Sequence, residues 1–262
     1  MKLALFTGDK RFDELAALLE KDGHRVFKND INAIRRSEAL ILPLPINAAT
    51  AAKGKLPYLP DILSADLCAK RVFAGVTDDF MKRAFESRGA SFYDYMKNEA
   101  LLQYNAALTV EGAISEAVSV SSGALHRSDC LITGYGRIAR RLACVLKALG
   151  AEVTIALRSR ELFGEIERSG YTACTLENAP LNDFDYIFNT IPAIIFNSDE
   201  ISKIKPECVL MELASAPGGF DESAAKKTCK YIVKAGGLPG KYAYKAAAQA
   251  IHRVIADKLK EE

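Results

Sequence analysis

The chain has 262 residues, with 35 Lys and Arg against 33 Asp and Glu, 49% apolar and 26% charged residues, and a formal net charge of +2 at pH 7. That length suits two α/β domains, while near-neutrality excludes a broad electrostatic claim on nucleic acid or on a membrane surface. No apolar run approaches a membrane span and residues 1–8 lack a signal peptide's apolar core; the six cysteines (68, 130, 144, 174, 208 and 229) form no C-x-x-C pair, so a reduced cytoplasmic protein without a bound metal is expected.

Residues 2–7 read as a strand. Phe12, Leu15, Leu18 and Leu19 then give helical spacing over 12–21, and 24–27 is a short strand. Residues 39–45 are an apolar run stopped by Pro43 and Pro45. Strands at 71–76 and 90–93 flank a helix at 78–87. Such alternation implies a parallel sheet covered on both faces. From 98 to 122 the pattern is helical, with Thr109 placed as an N-cap and a bend expected at 109–112.

The second alternating series carries the strongest signal. A strand at 130–133 runs into Gly134-Tyr135-Gly136-Arg137-Ile138-Ala139 and then an amphipathic helix, with another strand at 152–157. In a G-x-G-x-x-A turn the first glycine makes the bend, the second admits a pyrophosphate, and the alanine packs helix on strand. The helix start presents unpaired N–H groups and its positive dipole end. Further strands are expected at 171–174, 186–189, 208–212 and 231–233. A terminal helix over 241–259 places Ala247, Ile251, Val254, Ile255 and Leu259 on one face. The fold class is therefore α/β: two Rossmann-like parallel-sheet domains joined by long helices, with a cleft between them. The expected boundaries are 1–105, a linking helix at 106–127, a dinucleotide domain at 128–240 and a terminal helix at 241–262.

The end of the second strand of that series selects the coenzyme. An NAD site places Asp or Glu there for the ribose 2′-hydroxyl, whereas this chain has Arg158-Ser159-Arg160 and no carboxylate until Glu161. Guanidinium and hydroxyl groups suit a 2′-phosphate, so NADP is favoured, with NAD possible. Arg137 is placed to fold over the pyrophosphate and Tyr135 to cover the phosphates or fill the glycine gap. Arg140 and Arg141 read as surface residues, and His126 as a proton-handling candidate just before the first strand.

Three later stretches, Phe188-Asn189-Thr190-Ile191-Pro192, Glu212-Leu213-Ala214-Ser215-Ala216-Pro217-Gly218-Gly219-Phe220-Asp221 and Gly236-Gly237-Leu238-Pro239-Gly240-Lys241, join the fingerprint and the Asn105…Thr109-Val110-Glu111-Gly112 segment. This ordered set resembles the dipicolinate synthase A-subunit family from about residue 105 onward. It is fainter earlier, at Gly8-Asp9-Lys10-Arg11 and Ile41-Leu42-Pro43. The resemblance implies an oxidoreductase of sporulating bacteria that turns dihydrodipicolinate into dipicolinate with NAD(P)+, beside a flavoprotein-like B subunit; a homo-oligomer is also expected. The chain departs from that family at Leu108, where the family tends to have proline, and at Ala243 to Ala248, where it tends to read Ala-Pro-Lys-Thr-Ala-Gly.

Within that frame Asn189, Thr190, Ile191 and Pro192, with Leu213, Ala214, Ser215, Leu238 and Pro239, are expected against the coenzyme. Lys10, Arg11 and Thr109 are expected to hold a dicarboxylate, because loops at strand carboxyl ends converge on such sites. Glu111, Ser215 and Lys241 are the catalytic candidates, with Glu111 as base. Aromatisation of a dihydropyridine supplies much of the driving force, so positioning outweighs strong acid–base groups. Each residue also has a plainer reading: solvated charge for Lys10 and Arg11, helix cap for Thr109, dipole complement for Glu111, and exposed first-turn lysine for Lys241. A 2-hydroxyacid or alanine-type dehydrogenase is the rival enzyme, though Gly236 to Gly240 lacks its histidine acid. A non-catalytic dinucleotide-binding partner or sensor is the other alternative.

Overall fold

The computed structural model describes residues 1–54, 56–121 and 123–261. It divides into two compact units, Met1–Asn105 with Ala243–Glu262, and Ala106–Tyr242. The first contains β1 (Lys2–Leu5), α1 (Lys10–Lys21), β2 (Arg25–Lys28), α2 (Ala33–Arg36), β3 (Ala39–Ile41), α3 (Ala48–Ala52), α4 (Leu59–Ser64), β4 (Arg71–Ala74), α5 (Asp79–Glu86) and β5 (Ser91–Asp94). Its strands pair in parallel in the order β2-β1-β3-β4-β5. Parallel strands covered on both faces need near-continuous apolar sequence, and Leu3-Ala4-Leu5, Ala39-Leu40-Ile41 and Val72-Phe73-Ala74 are all buried. Phe12, Leu15, Ala16 and Leu19 of α1 cover one face, and Ile62, Leu67, Met81 and Phe85 cover the other.

Helix α6 (Glu99–Val120) runs across the boundary between the units. It is a single helix, which corrects the expected bend: Thr109 is buried in mid-helix and is no N-cap. Ala106, Leu108, Val110, Ala113 and Ala117 are buried along it, so packing overrides the local cap and glycine signals. Ser122, where the sequence reading ends this stretch, lies outside the described residues.

The second unit continues with β6 (Asp129–Thr133), α7 (Arg137–Ala148), β7 (Glu152–Leu157), α8 (Phe163–Arg168), β8 (Thr172–Thr175), β9 (Tyr186–Asn189), α9 (Ser198–Ser202), β10 (Val209–Glu212), α10 (Glu222–Thr228), β11 (Tyr231–Lys234) and α11 (Leu238–Tyr242). Its parallel sheet has the order β11-β10-β9-β6-β7-β8. The chain starts in the middle, winds outward through β8, and returns to the other side of β6 at β9. This reversal is the doubly wound plan whose crevice lies at the carboxyl ends of the two strands flanking the switch, here β6 and β9.

The terminal segment differs from its sequence reading. Instead of one helix from 241, α11 ends at Tyr242 and α12 (Tyr244–Lys260) begins after Ala243, whose φ of −135° and ψ of 40° are not helical. Ala248, Ile251, Ile255 and Leu259 of α12 enter the apolar cluster of β1, β3 and α1 in the first unit. The cysteines also divide: Cys130, Cys208 and Cys229 are buried, whereas Cys68 and Cys144 are exposed. Among the described residues no helix is long and apolar enough to cross a membrane.

Ile255 is fully buried in that cluster. Ile255→Ala is expected to lower unfolding free energy by about 2–5 kcal/mol, read as a shifted urea midpoint with an unchanged slope. An unshifted midpoint would show that α12 is not docked on the first unit.

Candidate dinucleotide site

Gly134 and Gly136 have different physical reasons to be glycine. Gly134 leaves β6 at φ +85°, and a Cβ there would stand 2.9 Å from Thr190 Oγ1 and 3.1 Å from Ile191 Cγ1. It is required by its own backbone and by the neighbouring turn. Gly136 has an ordinary φ of −79° as the N-cap of α7, and an added Cβ would meet nothing within 4 Å. Nothing inside the protein demands glycine there, whereas a ligand approaching the first N–H groups of α7 would. The fit to a dinucleotide pyrophosphate is therefore good. Ala139 is fully buried where α7 crosses the sheet.

Tyr135, between the glycines, is half-buried. The Arg140 guanidinium lies 3.9 Å from its ring centroid, and Arg140 Nε donates to the Tyr135 carbonyl at 3.0 Å. Glu165 of α8 pairs with the same guanidinium and holds its pKa up. Arg140 is exposed, as the sequence reading has it, yet it orders the glycine turn. Arg137 is exposed and Ile138 half-buried at the start of α7. Arg158, Ser159 and Arg160 are all exposed just past β7, one strand over from Gly134.

Beneath this turn, a buried polar network joins three strand ends. Asn189, fully buried at the end of β9, accepts at Oδ1 from Thr133 Oγ1 at 2.6 Å and from Ile191 N at 3.1 Å. Its Nδ2 donates to Ile191 O at 3.0 Å and to Glu212 Oε1 at 2.6 Å. Thr190 Oγ1 donates to Thr133 O at 2.6 Å. Thr190 and Ile191 are half-buried and Pro192 is exposed. Glu212, the last residue of β10, also accepts from Ala214 N at 2.9 Å and Gly219 N at 2.6 Å. Burial raises its pKa, an effect those donors only partly offset. Sequence reasoning assigns Glu212 no role of its own. A carboxylate ending an apolar strand is the available signal, since a half-buried charge needs partners.

Other expected site residues lie elsewhere or act otherwise. Leu213 is buried, Ala214 half-buried and Ser215 exposed in the loop after β10. Leu238 and Pro239 are buried, and Leu238 closes on α6 at Gly112, where a Cβ would stand 2.8 Å from Leu238 Cβ. The Leu238 side chain is thus a core element. Glu111 is exposed on α6. Lys241 sits in the last turn of α11, not in a first turn, and pairs with Glu116 of α6. The cost that suggested a functional anion disappears there, because a helix C-terminus favours a cation, and Glu116 keeps the lysine protonated by raising its pKa. His126 lies at the opposite end of β6 from Gly134, with Nδ1 3.2 Å from Leu149 O and its ring against Gly150. It is a packing residue.

In the first unit, Lys10 is exposed and lies 6.0 Å from the Tyr244 ring centroid. Arg11 is not a solvated charge: it is 6% exposed, and Nε and Nη2 both bind the Asp9 carboxylate. Asp9 also caps α1 through Arg11 N at 2.9 Å. Burial pushes the Asp9 carboxyl up, but Arg11's hydrogen bonds and charge outweigh it and leave the pKa lowered.

Residues 99–224 match the family described as D-isomer specific 2-hydroxyacid dehydrogenase, NAD binding domain. The A subunit of dipicolinate synthase from Bacillus subtilis (strain 168) is 29% identical over 192 residues, which is 72% of this chain. The match spans 65% of the length of that curated relative. The crystal structure of the A subunit of dipicolinate synthase from Bacillus halodurans superposes with a TM-score of 0.83 at 21% identity, covering 100% of this chain and 98% of that one. D-lactate dehydrogenase from Escherichia coli superposes at 0.71 with 11% identity, covering 99% and 96%. The chain is thus similar to the dipicolinate synthase A subunits in sequence and fold, and it carries a nicotinamide-dinucleotide-binding domain of dehydrogenase type.

The two glycines should separate experimentally. Gly136→Ser supplies a good N-cap at an open position and should keep the melting temperature within about 2 °C of the parent. Gly134→Ala meets Thr190 and a left-handed backbone and should lower unfolding free energy by about 1 kcal/mol or more. Equal destabilisation in thermal melts would remove the distinction.

Proposed function

We propose that the protein is an NADP-preferring oxidoreductase that oxidises dihydrodipicolinate to dipicolinate, as the A component of a dipicolinate synthase. The observation that carries the coenzyme half is Gly136, a glycine required only by something approaching the N-terminus of α7 at the switch between β6 and β9. The preference for NADP rests on Arg158, Ser159 and Arg160 standing exposed past β7 where an NAD site has a carboxylate. The similarity to the Bacillus subtilis dipicolinate synthase chain supports the substrate. That relative is one component of a multi-component synthase, which supports a second, B-type partner for this chain.

Bound nicotinamide supplies a hydride acceptor, and the substrate gives up one hydride and one proton as its ring becomes aromatic. The protein's share is binding and orientation. Gly134, Gly136, Arg137 and Ile138 hold the pyrophosphate, and Thr190 to Pro192 with Leu213 to Ser215 line the nicotinamide end. Lys10 and the guanidinium edge of Arg11 not spent on Asp9 serve the substrate carboxylates, with Thr109 as a further donor. Ser215 orients the reacting ring, exposed Glu111 passes the proton to water, and Lys241 supplies fixed positive charge. A protonated, Glu116-paired lysine is no base, so Glu111 is the better candidate for that task.

Arg158→Asp should weaken NADP+ binding by about ten- to a hundredfold, the value of one or two lost charge-assisted hydrogen bonds. NAD+ binding should change by about twofold or less, and equal losses for both coenzymes would sink the 2′-phosphate contact. Purified protein given freshly made dihydrodipicolinate and NADP+, with and without a B-type partner, should form reduced coenzyme. Reduction with 2-hydroxy acids alone would favour the rival dehydrogenase, and binding without turnover in every pairing would favour a sensor.

A further inference from the structure

The run Pro217-Gly218-Gly219 after β10 reads, from its glycines alone, as another cradle for a ligand. The structure gives these glycines an internal reason. A Cβ on Gly219 would stand 2.1 Å from Asn189 Nδ2, and one on Gly218, left-handed at φ +86°, would stand 2.9 Å from Glu212 Oε2. The loop therefore closes over two side chains. One carboxylate binds both its ends, with Oε1 accepting from Ala214 N and Oε2 from Gly219 N. Through Asn189, the same carboxylate reaches the turn at Ile191 and the Thr133 hydroxyl. The exposed tip, Ser215 to Pro217, makes none of these bonds.

We propose that Glu212 is a positioning residue for coenzyme binding: ionised, it holds the Thr190–Pro192 turn and the Leu213–Gly219 loop in the arrangement a nicotinamide dinucleotide meets, without touching the dinucleotide itself. This rests on the dinucleotide site assigned above. An ionised carboxylate can accept from all three donors. A protonated one must turn its O–H toward an amide and gives up an acceptor, and glutamine does the same with its NH₂ at every pH. Burial raises the Glu212 pKa above the ordinary 4.5, helped by Glu222 of α10, which is itself paired with Lys234 of β11. The holding form is therefore present above that raised pKa. It is lost as pH falls through it, at a pH where an ordinary glutamate is still ionised.

The test compares NAD+ affinities of the wild type and Glu212→Gln by calorimetry from about pH 8 down to about pH 5. NAD+ is chosen because it lacks a 2′-phosphate titrating near pH 6. At the alkaline end the variant should bind about tenfold more weakly, the scale of one lost hydrogen bond to a charged group. The ratio should shrink toward one as acid protonates Glu212 in the wild type, a convergence that a purely structural role would not produce. A ratio near one throughout, or a loss that does not change with pH, overturns the proposal while leaving the dinucleotide site intact. Absence of wild-type binding to NAD+ and NADP+ overturns both. Should the variant fail to fold, hydrogen exchange on the wild type decides. The Ala214 and Gly219 amides should be protected at neutral pH and lose protection in acid ahead of the β9 and β10 amides, and equal protection at both ends overturns the proposal.

Discussion

One buried amide organises the carboxyl edge of the second sheet. Asn189 has two donors and two acceptor positions, and every one is used: Ile191 O, Glu212 Oε1, Thr133 Oγ1 and Ile191 N. Because the group is fully buried, water cannot stand in for a missing partner, and a partly satisfied arrangement would be costly. The amide therefore fixes its neighbours. Thr133 carries the β6 end from which Gly134 turns, Ile191 carries the turn that packs on Gly134, and Glu212 carries the loop after β10. The glycine turn facing the dinucleotide rests on this floor and is not shaped by its own sequence alone.

The two units solve the same packing problem with different strand orders. In the second, the reversal lies between β6 and β9 and brings the glycine turn beside Thr190. In the first, it lies between β1 and β3 and brings Gly8 beside Pro43, where a Cβ would stand 2.8 Å from Pro43 Cβ. There the turn is followed by Asp9, whose carboxylate caps α1 and grips Arg11 at once. A buried guanidinium needs such a partner. The Asp9–Arg11 pair is local, two residues apart, so its geometry is set by the first turn of α1 and costs little chain entropy to form.

Most of this architecture is readable from the sequence because parallel strands buried on both faces leave continuous apolar runs. The segments at 39–45, 130–133 and 186–189 are plain for that reason, and the fingerprint adds a turn whose stereochemistry admits few residues. The unread parts share a cause. Helices α2, α3, α4 and α9 have four to six residues, too few for a 3.6-residue period to show. The break at Ala243 carries no proline or glycine to announce it. Thr109 and Gly112 carry real local signals for a cap and a bend, yet α6 passes straight through, because Gly112 is needed for the approach of Leu238. The setting of Lys241 escapes a sequence reading for the same reason: its partner, Glu116, is 125 positions away.

The site follows this division between local and long-range causes. Gly134, Gly136 and Ala139 are legible because each answers to its own turn or helix start. Glu212, Arg140 and Asn189 owe their roles to partners 23 to 57 positions distant or on another element, and spacing alone contains no trace of them. A loop pinned at Ala214 and Gly219 but free at Ser215, Ala216 and Pro217 separates two demands. Its pinned ends hold the strand edges to which the turn and helix must conform, while its tip is open to substitution without disturbing the floor beneath. Alanine at 216 and the exposed serine at 215 thus lie where substrate preference could change at little cost to the fold, and the coenzyme end rests on residues that cannot change singly.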